Sequence, residues 1–334
     1  MTVKYEVKNL RLSNTLKQVS ELREIQDKYI VLDFGRVNVV RNAGMQLFIA
    51  CIEEMERRGY TFYYNKEARY FYNSEKHAIN YAKGVGFFKA LGFKDIKGGD
   101  YSGSDNYVPI QSIGYNDLFE NVGDYHDGIV EYSDKLANVL VKDIPELKSV
   151  LSYMIREIMR NTFEHTGELK PHIWVGAQRH ISEGNIEVAL IDSYEGIRQV
   201  LTAKKEFRKI VRNDKDALKL AIKPGISGNA TEFDKDKWDN SGYGLYVTSK
   251  LLSILGTFNL ISGNCWLECK ESNIISHNDI DFQGTGVVLY IDLNKVPKIN
   301  ANIIEQIVKA GEQEAKNDPF AIMSASKASK LVEF

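Results

Sequence analysis

Cysteine is scarce in this chain, with three residues in 334. Cys265 and Cys269 stand close together in CWLEC, but the second ligand pair of a zinc site is missing, so the reading is buried, reduced thiols in a cytoplasmic protein. No segment approaches the roughly 18 consecutive apolar residues of a membrane-crossing helix, which excludes one. The N-terminal MTVKYEVKNLRLSN alternates apolar and polar residues and has no apolar signal-peptide core, so it reads as a first strand. Charge of one sign is lacking too. A formal net charge of −2, with Lys and Arg interspersed among acids, gives no pull toward nucleic acid. There is no internal repeat and no low-complexity tract. What is present is 43% hydrophobic, 11% aromatic and 26% charged residues, an ordinary globular composition, over a length that argues for two domains.

Residues 29–34 (YIVLDF) form a short β-branched apolar run, a helix-period stretch follows from Ala43 to Arg58, Gly59 stops it, and TFYYN at 61–65 is a second strand. This is a β-α-β unit, which implies a parallel pair with a right-handed crossover. Residues 74–92 read as a further helix. The Gly-, Asp- and Ser-rich region 94–127, with one short apolar stretch from Val108 to Ile113, reads as the domain junction. The second half opens with helices and then supplies strands at 172–177, 185–192, 258–263 and 286–293, a pattern that predicts an α+β sandwich with an antiparallel sheet. About fifty residues separate Asp192 from Gly242, long for a connector, and read as a functional lid. A last helix is expected over 300–315.

From Leu147 to Phe163 the apolar positions recur every three and four residues, which predicts a helix packed on a sheet. Glu157, Asn161 and His165 follow one another at intervals of four and so share one edge of that helix. Alone, such an edge is what any solvated helix carries. Three further features bear on it. Asp192 ends the strand-like run EVALID, four residues before Gly196, where a carboxylate can accept from the exocyclic amine of adenine. Gly242-Tyr243-Gly244-Leu245 opens a helix, and amides at a Gly-lined helix start suit phosphate oxygens. Gly284-Thr285-Gly286 precedes the last strand, where a hydroxyl can reach the base or the carboxylate that holds it.

In this order, over residues 140–295, the elements resemble the GHKL family of ATP-binding proteins, which includes gyrase, heat-shock chaperone ATPases, mismatch-repair ATPases, histidine kinases and anti-sigma serine kinases. The resemblance implies that ATP and Mg²⁺ are bound. It implies that Asn161 coordinates Mg²⁺, that Glu157 orients or deprotonates the attacking nucleophile, that Asp192 holds the adenine amine with Gly196 and Ile197 shaping the base pocket, and that Gly242 to Leu245 wrap the phosphates. The sequence departs from the family pattern at Tyr194, which replaces the first glycine of Asp-x-Gly-x-Gly and must avoid strongly positive φ, and at Glu164, where many histidine kinases carry a lysine. Arg198, Lys204, Lys205, Arg208, Lys209, Arg212 and Lys223 are the candidates for a compensating cation.

Residues 25–65, and more weakly 1–95, resemble a STAS domain of the anti-sigma antagonist kind; the implied division is a STAS-like domain at 1–115, a linker or connecting helix at 116–140, the GHKL-like domain at 141–296 and a C-terminal helix and tail at 297–334. Where that family carries a phosphorylatable hydroxyl, this chain has Arg41-Asn42-Ala43-Gly44, so a phosphoswitch at that site is lost while protein docking or self-association survives. No histidine sits in the helical context of an autokinase. The functional expectation is a bacterial regulatory protein with slow ATP hydrolysis coupled to closure of the lid at 198–241. The alternatives are an anti-sigma-like serine/threonine kinase and an interaction module that binds ATP without turnover.

Overall fold

A computed structural model of the chain describes residues 2–96, 103–122, 124–165, 171–228, 241–271, 273–300 and 302–326. β1 (Thr2–Glu6), β2 (Tyr29–Asp33) and β3 (Thr61–Tyr64) lie parallel in that order, connected by α1 (Leu12–Arg23) and α2 (Asn42–Arg57). The β-α-β reading of residues 29–65 therefore holds. The first strand is shorter than its alternating pattern suggested. It closes at Glu6, because Leu12, Leu16, Val19 and Leu22 follow at helical spacing and are all buried along one face of α1. The helix expected over 74–92 is divided into α3 (His77–Gly84) and α4 (Phe87–Ala90), with Gly86 at φ 86° between them.

β4 (Tyr107–Gly114), α5 (Tyr115–Val122), α6 (Tyr125–Val141), α7 (Pro145–His165), β5 (His172–His180), β6 (Asn185–Ile191), α8 (Ile197–Thr202), α9 (Asp214–Ala221), α10 (Gly244–Leu255), β7 (Gly256–Gly263), β8 (Cys265–Lys270), β9 (Asn273–His277), β10 (Phe282–Asp292) and α11 (Ile303–Ala315) follow in the chain. The strands form one antiparallel sheet in the order β4-β5-β6-β10-β7-β8-β9. The protein is thus a mixed α/β structure, with a seven-stranded antiparallel sheet and a small parallel one.

Both faces of the large sheet are covered. α6, α7, α9 and α10 pack on one side, and α2 lies across β5, β6 and β10 on the other. Every residue of α2 from Asn42 to Ile52 is buried, as befits a helix enclosed between two sheets. Its core merges Ile30 and Leu32 of the parallel sheet with Ala189, Ile191, Ile261 and Val288 of the large one. Gly176 on β5 permits the close approach, since a Cβ there would lie 2.8 Å from Asn42 Oδ1. β6 is buried on both faces, and its residues from Val188 to Ile191 are all apolar for that reason.

Much of the expected lid is core. α8 and α9 pack against the sheet, and Leu201, Phe207, Val211, Ala217 and Leu218 are buried. Residues 229–240 of that stretch lie outside the described residues. No helix among the described residues is long and apolar enough to cross a membrane. Cys51, Cys265 and Cys269 are free and buried, and burial pushes the Cys265 and Cys269 thiols up to about 11.

Candidate functional site

A cleft opens on the α7 and α10 side of the large sheet and encloses about 840 Å³, its mouth included, a volume typical of small-molecule sites. Asn161 and Thr162 of α7, Asp192 after β6, Ile197 of α8, Gly242, Gly244 and Leu245 at the start of α10, and Thr285 of β10 all line it. The antiparallel register of β6 and β10 joins two of these: the Asp192 amide donates to the Thr285 carbonyl at 2.9 Å. Residues 124 positions apart, from Asn161 to Thr285, thus face one space.

At its inner wall sits Asp192, only 6% exposed. Its Oδ1 accepts the Tyr194 and Thr285 backbone amides, each at 3.1 Å, and Oδ2 faces the Thr162 hydroxyl at 3.4 Å. One oxygen is therefore fixed by the backbone, and the other remains available to a ligand donor. Burial pushes the Asp192 carboxyl up to about 7, against the opposing pull of the two amides and the Thr162 hydroxyl, while nearby Glu195 adds to the rise. Gly284, at φ 116°, makes this possible, because a Cβ there would lie 2.2 Å from the Asp192 carbonyl oxygen.

The shift sets a pH dependence of stability. An unfolded aspartate titrates near 4, so between about 4 and 7 the folded chain holds a proton that the unfolded chain has released. Stability conferred at this site therefore falls as pH rises through that window and levels off above it. Thermal melts of the wild type and Asp192→Asn from pH 4.5 to 8 are expected to diverge, with the substituted protein gaining relative to wild type as pH rises. Parallel curves would refute a raised carboxyl.

At the opposite end, Gly242 has φ 72° and packs its Cα on the Ile226 backbone, where a Cβ would come within 2.4 Å. Gly244 starts α10 directly over Glu157: a Cβ there would lie 2.6 Å from Glu157 Oε2. Glu157 itself is 4% exposed and does not line the cleft. Its Oε1 is 3.5 Å from the Arg160 guanidinium and 3.6 Å from that of Arg156, and Arg160 also donates to Glu164 at 3.0 Å. The carboxylate expected to act as a base is thus ion-paired beneath the glycine turn. The lone helix edge of the sequence reading splits in two: Asn161 lines the cleft, and Glu157 supports the floor of α10.

Other residues are also placed differently from the expectation. Tyr243 is fully buried and its hydroxyl donates to the Ile322 carbonyl at 3.0 Å, so its side chain points away from the cleft. Gly196 and Gly284 lie behind the Asp192 turn and line a neighbouring groove. Gly196 packs near Ser262, whose hydroxyl accepts the Ile197 amide at 3.0 Å and donates to the Gly284 carbonyl at 2.7 Å. Thr285 reaches Asp192 through its amide, whereas the hydroxyl that reaches the carboxylate belongs to Thr162, beside Asn161 on α7. His165 closes α7, and its side chain lies outside the described residues. Among the described residues that line the cleft there is no Lys or Arg. Arg198, Arg208, Arg212 and Lys223 bind Arg212 O, Thr202 O, Asp216 and Asp318 respectively, away from it.

Tyr194 needs no positive φ; the only described non-glycine residue with one is Glu271. Its hydroxyl turns outward to His172.

Fold and cleft together define a class: an antiparallel sheet layered with helices, holding a cleft with a buried carboxylate at one end and a glycine-lined helix start at the other. No family model and no curated protein matches the chain.

Proposed function

We propose that the chain is a GHKL-type regulatory protein that binds ATP with Mg²⁺ in this cleft, its N-terminal module being STAS-like. The observation that carries the reading is Asp192: a buried acceptor with one oxygen locked by two amides and the other turned to a hydroxyl and the cleft. In its ionised form that carboxylate suits the exocyclic amine of adenine, which presents a donor, and disfavours the 6-oxo oxygen of a purine such as hypoxanthine, which presents an acceptor. The start of α10 supports the phosphate end, where backbone N–H groups favour anions.

The donor set fits a metal that arrives with the phosphates. No group of three His, Cys, Asp or Glu side chains is gathered for a resident ion among the described residues, and Mg²⁺ needs only one or two protein ligands when phosphates supply the others. Asn161 lines the cleft and offers an amide oxygen for that role. When bound, the ion supplies charge neutralisation for the phosphates. With the ion neutralising the phosphates beside Asn161 and the buried Asp192 carboxyl, isothermal titration should give ATP affinity that falls by roughly tenfold or more when EDTA replaces Mg²⁺. Equal affinity with and without the metal, or no binding at all, would overturn the reading.

Turnover is slow in this reading. Glu157 is held by Arg160 and Arg156, which favours binding with little or no hydrolysis over rapid phosphate release. Radiolabelled ATP separates the outcomes, with free phosphate marking an ATPase and label on a partner protein marking a kinase. A protein partner, or a second copy of the chain, is assigned to the N-terminal module, whose outer sheet face leaves Tyr29 and Tyr63 exposed.

A further inference from the structure

Glu53 and Arg57, four residues apart on α2, reach across the large sheet to the two residues that follow Asp192. Arg57 donates to the Ser193 carbonyl and, at 2.7 Å, to the Ser193 hydroxyl. The same hydroxyl is 3.2 Å from Glu53 Oε2, which also accepts the Trp174 indole N–H at 2.8 Å. Glu53 Oε1 lies 2.8 Å from His172 Nε2. Since a carboxylate only accepts, Nε2 carries a hydrogen toward Glu53, and Nδ1 lies 2.7 Å from the Tyr194 hydroxyl. The His172 amide donates to that same hydroxyl at 3.1 Å, and Arg57 lies 5.1 Å over the Tyr194 ring. Burial alone would push Glu53 up, but the His172 and Trp174 donors, with Arg57 nearby, hold it below the usual carboxylate range.

These contacts converge on one peptide segment. Tyr194 is fixed at both ends: its phenol by His172, and its amide by donating to Asp192 Oδ1. Ser193, the residue between, is gripped at its carbonyl by Arg57. A shift of this segment therefore moves one of the two amides that aim the Asp192 carboxylate. None of Glu53, Arg57, His172 or Ser193 lines the cleft.

We propose that Glu53 and Arg57 of the N-terminal module are positioning residues for base recognition, holding the 192–194 turn from outside the cleft, so that docking of α2 and binding of an adenine base are linked. The proposal rests on the nucleotide reading of the cleft. By reciprocity, a partner that draws α2 from the sheet weakens nucleotide binding, and nucleotide resists that withdrawal.

The test is titration of the full chain with Mg·ATP and with Mg·ITP, whose base differs by a carbonyl in place of the amine, for wild type, Glu53→Gln and Arg57→Gln. Loss of a charge-assisted hydrogen bond to the turn is expected to weaken ATP binding roughly tenfold in each variant while ITP binding changes less than about twofold. Thermal melts identify any variant that fails to fold, and the other then carries the test. Unchanged ATP affinity in a folded variant overturns the proposal and leaves the cleft reading standing. Equal losses for ATP and ITP also overturn it, since general loosening of the fold would produce them. A wild-type chain that binds neither ligand, or both alike, overturns the base-recognition reading and this proposal with it.

Discussion

Asp192→Asn is expected to reduce ATP affinity about 100-fold, because a site built around one buried acceptor rejects a ligand that meets a donor there instead. The carbonyl oxygen of the new amide can take the place of Oδ1, which accepts from Tyr194 and Thr285. Its nitrogen then falls where Oδ2 faces Thr162 and the cleft, so that N–H donors of the side chain and of the adenine amine confront each other. ITP, with a carbonyl at that position, gains at the same time. Titration with both nucleotides reads the crossover; an Asp192→Asn protein that keeps full ATP affinity removes Asp192 from base recognition. The substitution leaves no buried charge, so the loss of binding arises in a folded protein.

Glu157→Ala is expected to destabilise the chain by about 3 kcal/mol, as in other buried ion pairs broken from one side. Arg160, with its side chain only 3% exposed, would keep Glu164 and lose Glu157. Glu157→Gln retains an acceptor for the guanidinium groups and is expected to cost less than half as much, which denaturant unfolding measures. The pair also decides the chemistry. If Glu157 leaves its ion pairs to activate water, both substitutions abolish free phosphate from radiolabelled ATP. Phosphate release that survives Glu157→Gln unchanged confines this residue to supporting the Gly244 turn.

The contrast between these two acidic residues shows how far a sequence reaches. Both stood in recognisable contexts, one at a strand end and one on a periodic helix edge. Asp192 lines the cleft because its neighbours in the chain and on β10 fix it there. Glu157 was placed on the same edge as Asn161 by four-residue spacing, but that spacing gives a rotation of about 40° per step, and packing against α10 puts Glu157 below the glycine turn and Asn161 beside the cleft. β8 and β9 were not legible at all. CWLEC reads as a cysteine pair, and it is a strand because β7 supplies a partner for every residue from Cys265 to Lys270.

The sequence by itself determined the elements whose signal is local: the β-α-β unit of residues 29–65, the long helix through Asn161, the strands at 172–177, 185–192, 258–263 and 286–293, and the glycines that close the turns. Periodicity specifies which residues share a face, and glycine specifies where the backbone turns or another chain segment comes close. Only the tertiary structure decided what each face meets. It enclosed α2 between two sheets, turned Thr162 toward Asp192, paired Glu157 with arginines, and bound Glu53 and Arg57 to a turn more than 130 positions away. Those partners are fixed by side-chain packing across distant segments, where a hydrogen bond or ion pair depends on ångström-scale placement that no local pattern encodes.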